Sequence, residues 1–194
     1  MLKAAIFDLN WIFITIPRLN DRFASDFKIP EEVFMPVLKE IMAKVRRPNA
    51  DKAFSYWQPA LAEWGIQFTE EEFWNYWFGA EKESTEMIKL AGHLKEKGLK
   101  VLILSNNFKE RAGFYGHYPF LNKVVDKIYY SWQTGYVKPD PRAWQHLLED
   151  NDLKPEECVY FDDQDVNLEA ARSLGIPAHL FVDVNLTKEI LWNT

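Results

Sequence analysis

The chain has 194 residues, of which 47% are hydrophobic and 27% are charged, and its formal net charge is -6. That length suits one globular domain with a modest insertion, and the hydrophobic content excludes intrinsic disorder. The negative charge argues against nucleic acid or an anionic membrane as the main partner, because both need a basic surface.

Cysteine usage and the N-terminal residues predict a cytoplasmic protein. Cys158 is the only cysteine, so an intramolecular disulfide is impossible. The N-terminal residues lack the basic, apolar and small-residue order of a signal peptide, and no apolar run approaches the roughly 20 residues that cross a bilayer. We therefore expect no membrane partner, and the sequence leaves the oligomeric state open.

Short apolar runs alternate with helical segments along most of the chain. The runs predict buried strands at 4–7, 101–104, 127–130, 159–161 and 178–182. The intervening segments predict helices at 83–97, 141–151 and 166–174, with Gly98 and Gly175 as stop signals and Pro141 in a first turn. This alternation predicts an α/β fold, a Rossmann-like parallel sheet flanked by helices.

Residues 15–82 interrupt the alternation, since they contain several helical segments and no convincing strand. Pro30 and Thr69 precede acidic first turns and therefore mark two helix starts. We predict a small helical cap at 15–83, inserted into an α/β core formed by 1–14 and 84–194.

Two groups of side chains in the predicted cap have structural interpretations. The basic cluster Lys44, Arg46 and Arg47 is too short for a polyanion site, and a solvated helix end is its expected setting. Helical spacing favours a place in the cap core for four tryptophans, Trp57, Trp64, Trp74 and Trp77.

Polar residues follow the predicted strands at the edge where parallel sheets bind ligands. These residues are Asp8, Ser105, Lys138, Asp162 and Asp163. A carboxylate nucleophile, a hydroxyl donor, an ammonium and two further carboxylates form a complete set for phosphoryl transfer. A phosphate dianion would be repelled by Asp8 unless Mg²⁺ and Lys138 neutralised it.

The chain resembles the haloacid dehalogenase-like superfamily through four segments in matching order and spacing. They are AIFDLN at 5–10, LSNN at 104–107, KPDP at 138–141 and FDDQDVNLEAA at 161–171. Within that superfamily the sequence is most similar to small sugar-phosphate phosphatases, including the glucose-1-phosphate phosphatase branch. The resemblance implies a Mg²⁺-dependent phosphatase with a helical cap and a small phosphorylated substrate.

The resemblance also implies a role for each matching residue. Asp8 would be the nucleophile, while Ser105, Asn106 and Lys138 would bind the phosphate of the substrate. The Mg²⁺ site would be formed by Asp8, Asp162, Asp163 and the backbone carbonyl of Asn10, with Asp163 as the principal ligand and Asn167 orienting the site.

Asn10 departs from the family pattern, which usually has a second aspartate there as general acid and base. An amide cannot transfer a proton at neutral pH, and loss of such a group lowers rates by about 10²–10⁴. Trp11 is the second departure, because the family usually has a small residue in this tight turn, and its bulk is expected to reshape the pocket mouth.

Two other functions remain open on the sequence. Carbon–halogen hydrolysis also works without the second aspartate, but a metal-free site would leave Asp162 and Asp163 unpaired at a high energetic cost. A non-catalytic protein that binds a phosphorylated ligand is the other alternative, and Asn10 is its motivation.

Overall fold

The computed structural model describes residues 1–193, in which a parallel sheet and a helical bundle meet at one edge of the sheet. The strands in chain order are β1 (Ala4–Phe7), β2 (Ile14–Thr15), β3 (Lys82–Glu83), β4 (Lys100–Ser105), β5 (Lys127–Tyr130), β6 (Cys158–Asp162) and β7 (Ala178–Leu180). Five of them form the parallel sheet, in the order β5-β4-β1-β6-β7.

The helices connect these strands and form the insertion. They are α1 (Leu19–Phe27), α2 (Glu31–Val45), α3 (Ala53–Glu63), α4 (Glu70–Phe78), α5 (Thr85–Glu96), α6 (Lys109–Tyr115), α7 (Pro119–Val124), α8 (Ser131–Thr134), α9 (Arg142–Asn151), α10 (Asp165–Ser173) and α11 (Val184–Asn193). A short 3₁₀ helix, Pro155–Glu157, precedes β6. Among residues 1–193, no helix combines the length and apolar character needed to cross a bilayer.

The central strand β1 is buried on both faces, which explains why its sequence is a continuous apolar run. Alternate residues face opposite ways, so Ala5 and Phe7 pack towards α5 and α11 while Ala4 and Ile6 pack towards α9 and α10. The predicted α/β fold class and the predicted sheet strands are confirmed. Gly98 and Gly175 both have positive φ just after a helix, as their role as stop signals requires.

The expectation of no strand between 15 and 82 was wrong at both ends of that segment. Thr15 pairs with Lys82, and Ile14 pairs with Glu83, in a two-stranded antiparallel ribbon. Each strand has two residues, which is too short to produce a recognisable alternation of polar and apolar side chains. The chain leaves the sheet for helices α1–α4 along β2 and returns along β3. The ribbon therefore holds these two connecting segments side by side.

Helices α1–α4 share an aromatic core that lies apart from the two faces of the sheet. Trp57 is fully buried in this core, and Trp64 and Trp74 pack at its margin, so the structural interpretation of these tryptophans is confirmed. Thr69 and Glu72 form a capping box that starts α4, as the acidic first turn indicated. Phe108, from the loop after β4, also packs in this core, and the division at residues 15–83 stays a prediction.

Candidate active site

The carboxyl edge of the sheet brings the sequence-predicted side chains together. Asp8 directly follows β1, Ser105 ends β4, Asp162 ends β6, and Lys138 lies in the loop before α9. Because β1 is hydrogen-bonded to both β4 and β6, these strand ends are neighbours in space. The same edge faces α1, α2 and α4 across a cavity of about 310 Å³.

Lys138 is the buried cation at the centre of this edge. Its Nζ lies 3.1 Å from Oδ1 of Asp8, although without the geometry of a hydrogen bond, and 2.6 Å from Oδ2 of Asp162. Burial favours the neutral amine, but Asp8 and Asp162 outweigh it and raise the pKa of Lys138 above its usual value. The lysine is therefore charged at neutral pH.

The side chain of Asn106 is hydrogen-bonded to the backbone of Lys138. Its side-chain amide donates to the carbonyl oxygen of Lys138 and accepts from the backbone N–H of the same residue, both at 2.8 Å. The reciprocal pair fixes the loop that carries the lysine. Asn106 also lines the cavity. Its contact with substrate stays a prediction.

Asp162 is already saturated with hydrogen bonds. Its Oδ2 accepts from Lys138 and from the Tyr160 hydroxyl, while its Oδ1 accepts from the backbone N–H of Gln164 and from Nδ2 of Asn167, both at 2.9 Å. Burial opposes ionisation, yet the charge of Lys138 and these donors hold the pKa of Asp162 below its usual value. Asp162 is thus placed to fix Lys138 in position.

Asp8 and Asp163 differ from Asp162, because each has a buried oxygen without a hydrogen-bond partner among the described residues. Oxygens of Asp8, Asp162 and Asp163 lie within 4.8 Å of one another. Burial and the neighbouring charges of Asp8 and Asp162 raise the pKa of Asp163 to about 6. Burial also raises the pKa of Asp8, despite the opposing effect of Lys138.

A buried carboxylate oxygen without a hydrogen-bond partner is costly unless a cation compensates it, and Lys138 forms an ion pair with Asp8 but not with Asp163. Mg²⁺ prefers hard oxygen ligands, and carboxylates supply them. Asp163 has an unpartnered oxygen and offers an oxygen within 4.8 Å of oxygens of Asp8 and Asp162, and it therefore fits a hard divalent cation, whereas both oxygens of Asp162 already accept two hydrogen bonds each.

Asn10 lines the cavity, and its side chain belongs to a chain of hydrogen bonds. Its Nδ2 donates to the hydroxyl of Tyr115 at 2.6 Å, and its Oδ1 accepts from Nδ2 of Asn107 at 3.1 Å. Asn107 is also 3.3 Å from the hydroxyl of Ser105, which is buried. The amide of Asn10 is thus held in one orientation, close to the predicted nucleophile.

Trp11 has a φ of 65°, a left-handed conformation that is uncommon for a bulky residue. Its backbone N–H donates to Ile14 at 2.8 Å and closes the turn after Asn10. The side chain is 41% exposed and forms part of the cavity wall, which agrees with the expected effect of its bulk on the pocket mouth.

The bundle contributes residues that the sequence interpretation did not place in the site. Arg46 lines the cavity, so the interpretation of the basic cluster as a solvated helix end was wrong for this residue, although Lys44 and Arg47 are exposed. Arg111 lines the same cavity and is paired with Glu81. No local pattern distinguishes Arg46 from its exposed neighbours, because the end of a helix shows no periodicity.

Tyr160 was also missed, although the sequence contained a signal for it. It lies two residues before Asp162 in β6, and side chains at that spacing face the same way along a strand. Its hydroxyl accepts from Lys138 at 3.0 Å and donates to Asp162. It therefore bridges the buried ion pair.

Comparisons with known proteins agree with this fold. Residues 24–175 match the family model of haloacid dehalogenase-like hydrolases. The chain is 26% identical over 209 residues to bifunctional epoxide hydrolase 2 of Sus scrofa, covering 95% of this chain and 37% of that protein. It is also 34% identical over 55 residues to D-ribitol-5-phosphate phosphatase of Bacteroides thetaiotaomicron, covering 28% of this chain and 27% of that protein.

A similar solved structure is a HAD family enzyme from Bacteroides thetaiotaomicron in complex with magnesium and inorganic phosphate. It has a TM-score of 0.75 and 20% identity, and the match covers 93% of this chain and 94% of that one. By contrast, the chain spans less than half the length of the curated relatives it matches. The family match covers most of the chain, and the chain therefore belongs to the haloacid dehalogenase-like hydrolases.

Proposed function

We propose that the chain is a magnesium-dependent phosphatase that takes the phosphoryl group of a small metabolite onto Asp8. The observation that carries this proposal is the contact of Asp8 with the buried ammonium of Lys138, beside an unpaired Asp163. A nucleophile and a fixed cation line one cavity, and Asp163, which has a free oxygen, offers a carboxylate oxygen within 4.8 Å of an oxygen of Asp8. These are the groups that phosphoryl transfer needs.

In the first step, a carboxylate oxygen of Asp8 attacks phosphorus, and the oxygen of the leaving alcohol departs with the bonding electrons. Lys138 neutralises the charge of the phosphoryl oxygens, and Ser105 and Asn106 contact them. A Mg²⁺ ion held by Asp8, Asp163 and the backbone carbonyl of Asn10, with Asp162 and Asn167 supporting the site, would supply further charge neutralisation.

In the second step, water must attack the phosphoaspartate and lose a proton. Asn10 cannot accept that proton at neutral pH, and its amide is already bonded to Tyr115 and Asn107. The first step also lacks an acid at this position to protonate the leaving group. We therefore expect slow hydrolysis of the phosphoenzyme, by a factor of about 10²–10⁴ relative to an enzyme with an acid at this position.

A sugar phosphate is the substrate class that we favour. A cavity of about 310 Å³ suits a small metabolite, and its wall carries several polar side chains. One relative bears the name of a ribitol phosphate phosphatase, which supports the same class.

The test is phosphate release from a panel of phosphorylated metabolites, measured with Mg²⁺ and with a chelator. The proposal predicts release that requires Mg²⁺, that is lost in Asp8→Asn and Asp163→Asn, and that persists in Glu169→Gln, a control at an exposed carboxylate on α10. Metal-independent halide release from haloacids would instead identify a dehalogenase. Saturable binding of phosphorylated ligands without release of phosphate would identify a binding protein. That is the second candidate function, and the absence of an acid–base group at Asn10 is the observation that favours it.

A further inference from the structure

Arg46 is a cationic side chain of the cavity wall with a buried nitrogen that has no hydrogen-bond partner among the described residues. It follows the last residue of α2, and its backbone N–H still donates to Met42 at 3.3 Å. The side chain is directed into the cavity, where its Nε is buried without a hydrogen-bond partner in residues 1–193. Burial and the nearby charge of Arg111 lower the pKa of Arg46 to about 10, while Asp8 opposes that effect.

Arg111 provides the contrast, because it lines the same cavity with a partner. Its Nη2 lies 2.5 Å and its Nε 3.1 Å from Oε1 of Glu81. Its charge is therefore compensated within the protein. The charge of Asp8 acts on Arg46, but the two side chains form no ion pair or hydrogen bond, so Arg46 has no comparable partner within residues 1–193.

Two cations of the cavity wall, Lys138 and Arg46, come from different parts of the fold. Lys138 is carried by the sheet side and touches the predicted nucleophile. Arg46 is carried by α2 in the bundle, and it also lines an adjoining cleft of about 530 Å³ that shares Met35 and Leu38 with the cavity. A ligand whose phosphate lies at Lys138 can therefore extend towards Arg46.

A guanidinium nitrogen that is buried without a hydrogen-bond partner, like Nε of Arg46, is costly, and the planar fork of the group is suited to carboxylate and phosphate oxygens. We propose that Arg46 binds a second anionic group of the substrate, separate from the phosphoryl group that is transferred to Asp8. The substrate is thus a phosphate ester, such as a sugar phosphate, that also carries a carboxylate or a second phosphate. This inference rests on the proposed function, since it assumes a phosphate site at Lys138.

The test measures binding by calorimetry, in the presence of Mg²⁺, so that turnover plays no part. The ligands are phosphonoacetate, 3-phosphonopropionate and 4-phosphonobutyrate, each paired with its uncharged carboxamide. At one chain length or more, the wild-type protein should bind the carboxylate about 10- to 100-fold more tightly than the carboxamide. The affinity of propane-1,3-bisphosphonate relative to propylphosphonate gives the gain from a second phosphonate. Comparing this gain with the ratio of carboxylate to carboxamide affinities shows which second anion is preferred.

Arg46→Gln should bring the ratio of the two affinities close to one, and Arg46→Met, which retains an apolar stem, serves if the glutamine variant does not fold. Lys44→Gln is the matched control on the same helix, because Lys44 is exposed and paired with Glu40, and it should keep the wild-type ratio.

Equal affinity for carboxylate and carboxamide at every length would overturn the inference and leave the proposed function standing. A preference that persists without the Arg46 charge would assign the second anion to another cation and would also overturn it. If no phosphonate binds the wild-type protein with Mg²⁺, the phosphate site itself is wrong, and both proposals fail.

Discussion

Replacing Asp163 by asparagine should stabilise the metal-free protein while removing its response to Mg²⁺. Asp163 has a buried oxygen without a partner, and burial with the charges of Asp8 and Asp162 raises its pKa from 3.8 to about 6. The negative charge of Asp163 is disfavoured in the folded state, so it lowers the free energy of unfolding whenever the carboxyl group is ionised. A site retained in spite of that effect is expected to have a cation as its normal occupant.

The magnitude follows from the pKa of Asp163. Each tenfold change in proton dissociation corresponds to about 1.4 kcal/mol, so the full effect of the rise would be about 3 kcal/mol. Because Asp163 is partly exposed, solvent screening reduces this to about 1–2 kcal/mol. The folded-state pKa is raised, so the destabilisation is absent below pH 3.8, develops between pH 3.8 and about 6, and is complete above pH 6.

Urea denaturation in the presence of a chelator measures this effect. Asp163→Asn should raise the free energy of unfolding by about 1–2 kcal/mol at pH 7.5 and by much less at pH 4, whereas Glu169→Gln should change neither. Added Mg²⁺ should stabilise the wild type by about 2.7 kcal/mol at about 100 times its Kd, and should not stabilise Asp163→Asn. An Asp163→Asn variant that is less stable than wild type in chelator at pH 7.5 would refute the reasoning.

Substitutions at three further positions test other parts of the site. Lys138→Ala should weaken binding of inorganic phosphate about 10- to 100-fold by calorimetry, and Lys138→Arg should restore only part of it; unchanged affinity in the alanine variant would place Lys138 outside the site. Tyr160→Phe should lower the free energy of unfolding by about 1 kcal/mol in urea, because Asp162 loses one donor, and no loss would mean that the hydroxyl adds nothing. Asn10→Asp should accelerate phosphoenzyme hydrolysis by about 10²–10⁴ in stopped-flow kinetics, unless another base serves the enzyme.

The sheet and its site were predictable because buried parallel strands leave a strong record in the sequence. Each strand is a short apolar run, and the polar residue that ends or follows it lies at the ligand-binding edge. That is why Asp8, Ser105 and Asp162 could be placed before any coordinates. The loop residue Lys138 came from the motif around it, not from periodicity.

Features that depend on tertiary packing could not be predicted in the same way. The ribbon of β2 and β3 has two residues per strand, so no alternation could develop. The side chain of Arg46 follows the end of a helix, and only the packing of the bundle over the sheet directs it into the cavity.

The roles of neighbouring polar residues also depend on which partners surround them in the folded protein. Asp162 and Asp163 are adjacent in sequence, yet one is saturated with donors and the other has an unpaired oxygen. Successive side chains on a strand and its exit point in different directions, so identical residues there meet different partners. Asn106 similarly binds the backbone of Lys138, a contact that links residues 32 positions apart.

The central claim is that Asp8 accepts the phosphoryl group, and rapid quenching with an aryl phosphate tests it most directly. An aryl leaving group needs little protonation, so the first step should outrun the second despite Asn10. We predict a burst of aryl alcohol that approaches one equivalent per enzyme, with a phosphoryl adduct on the peptide that contains Asp8, and neither in Asp8→Asn. Turnover or an adduct that survives in Asp8→Asn would contradict the account.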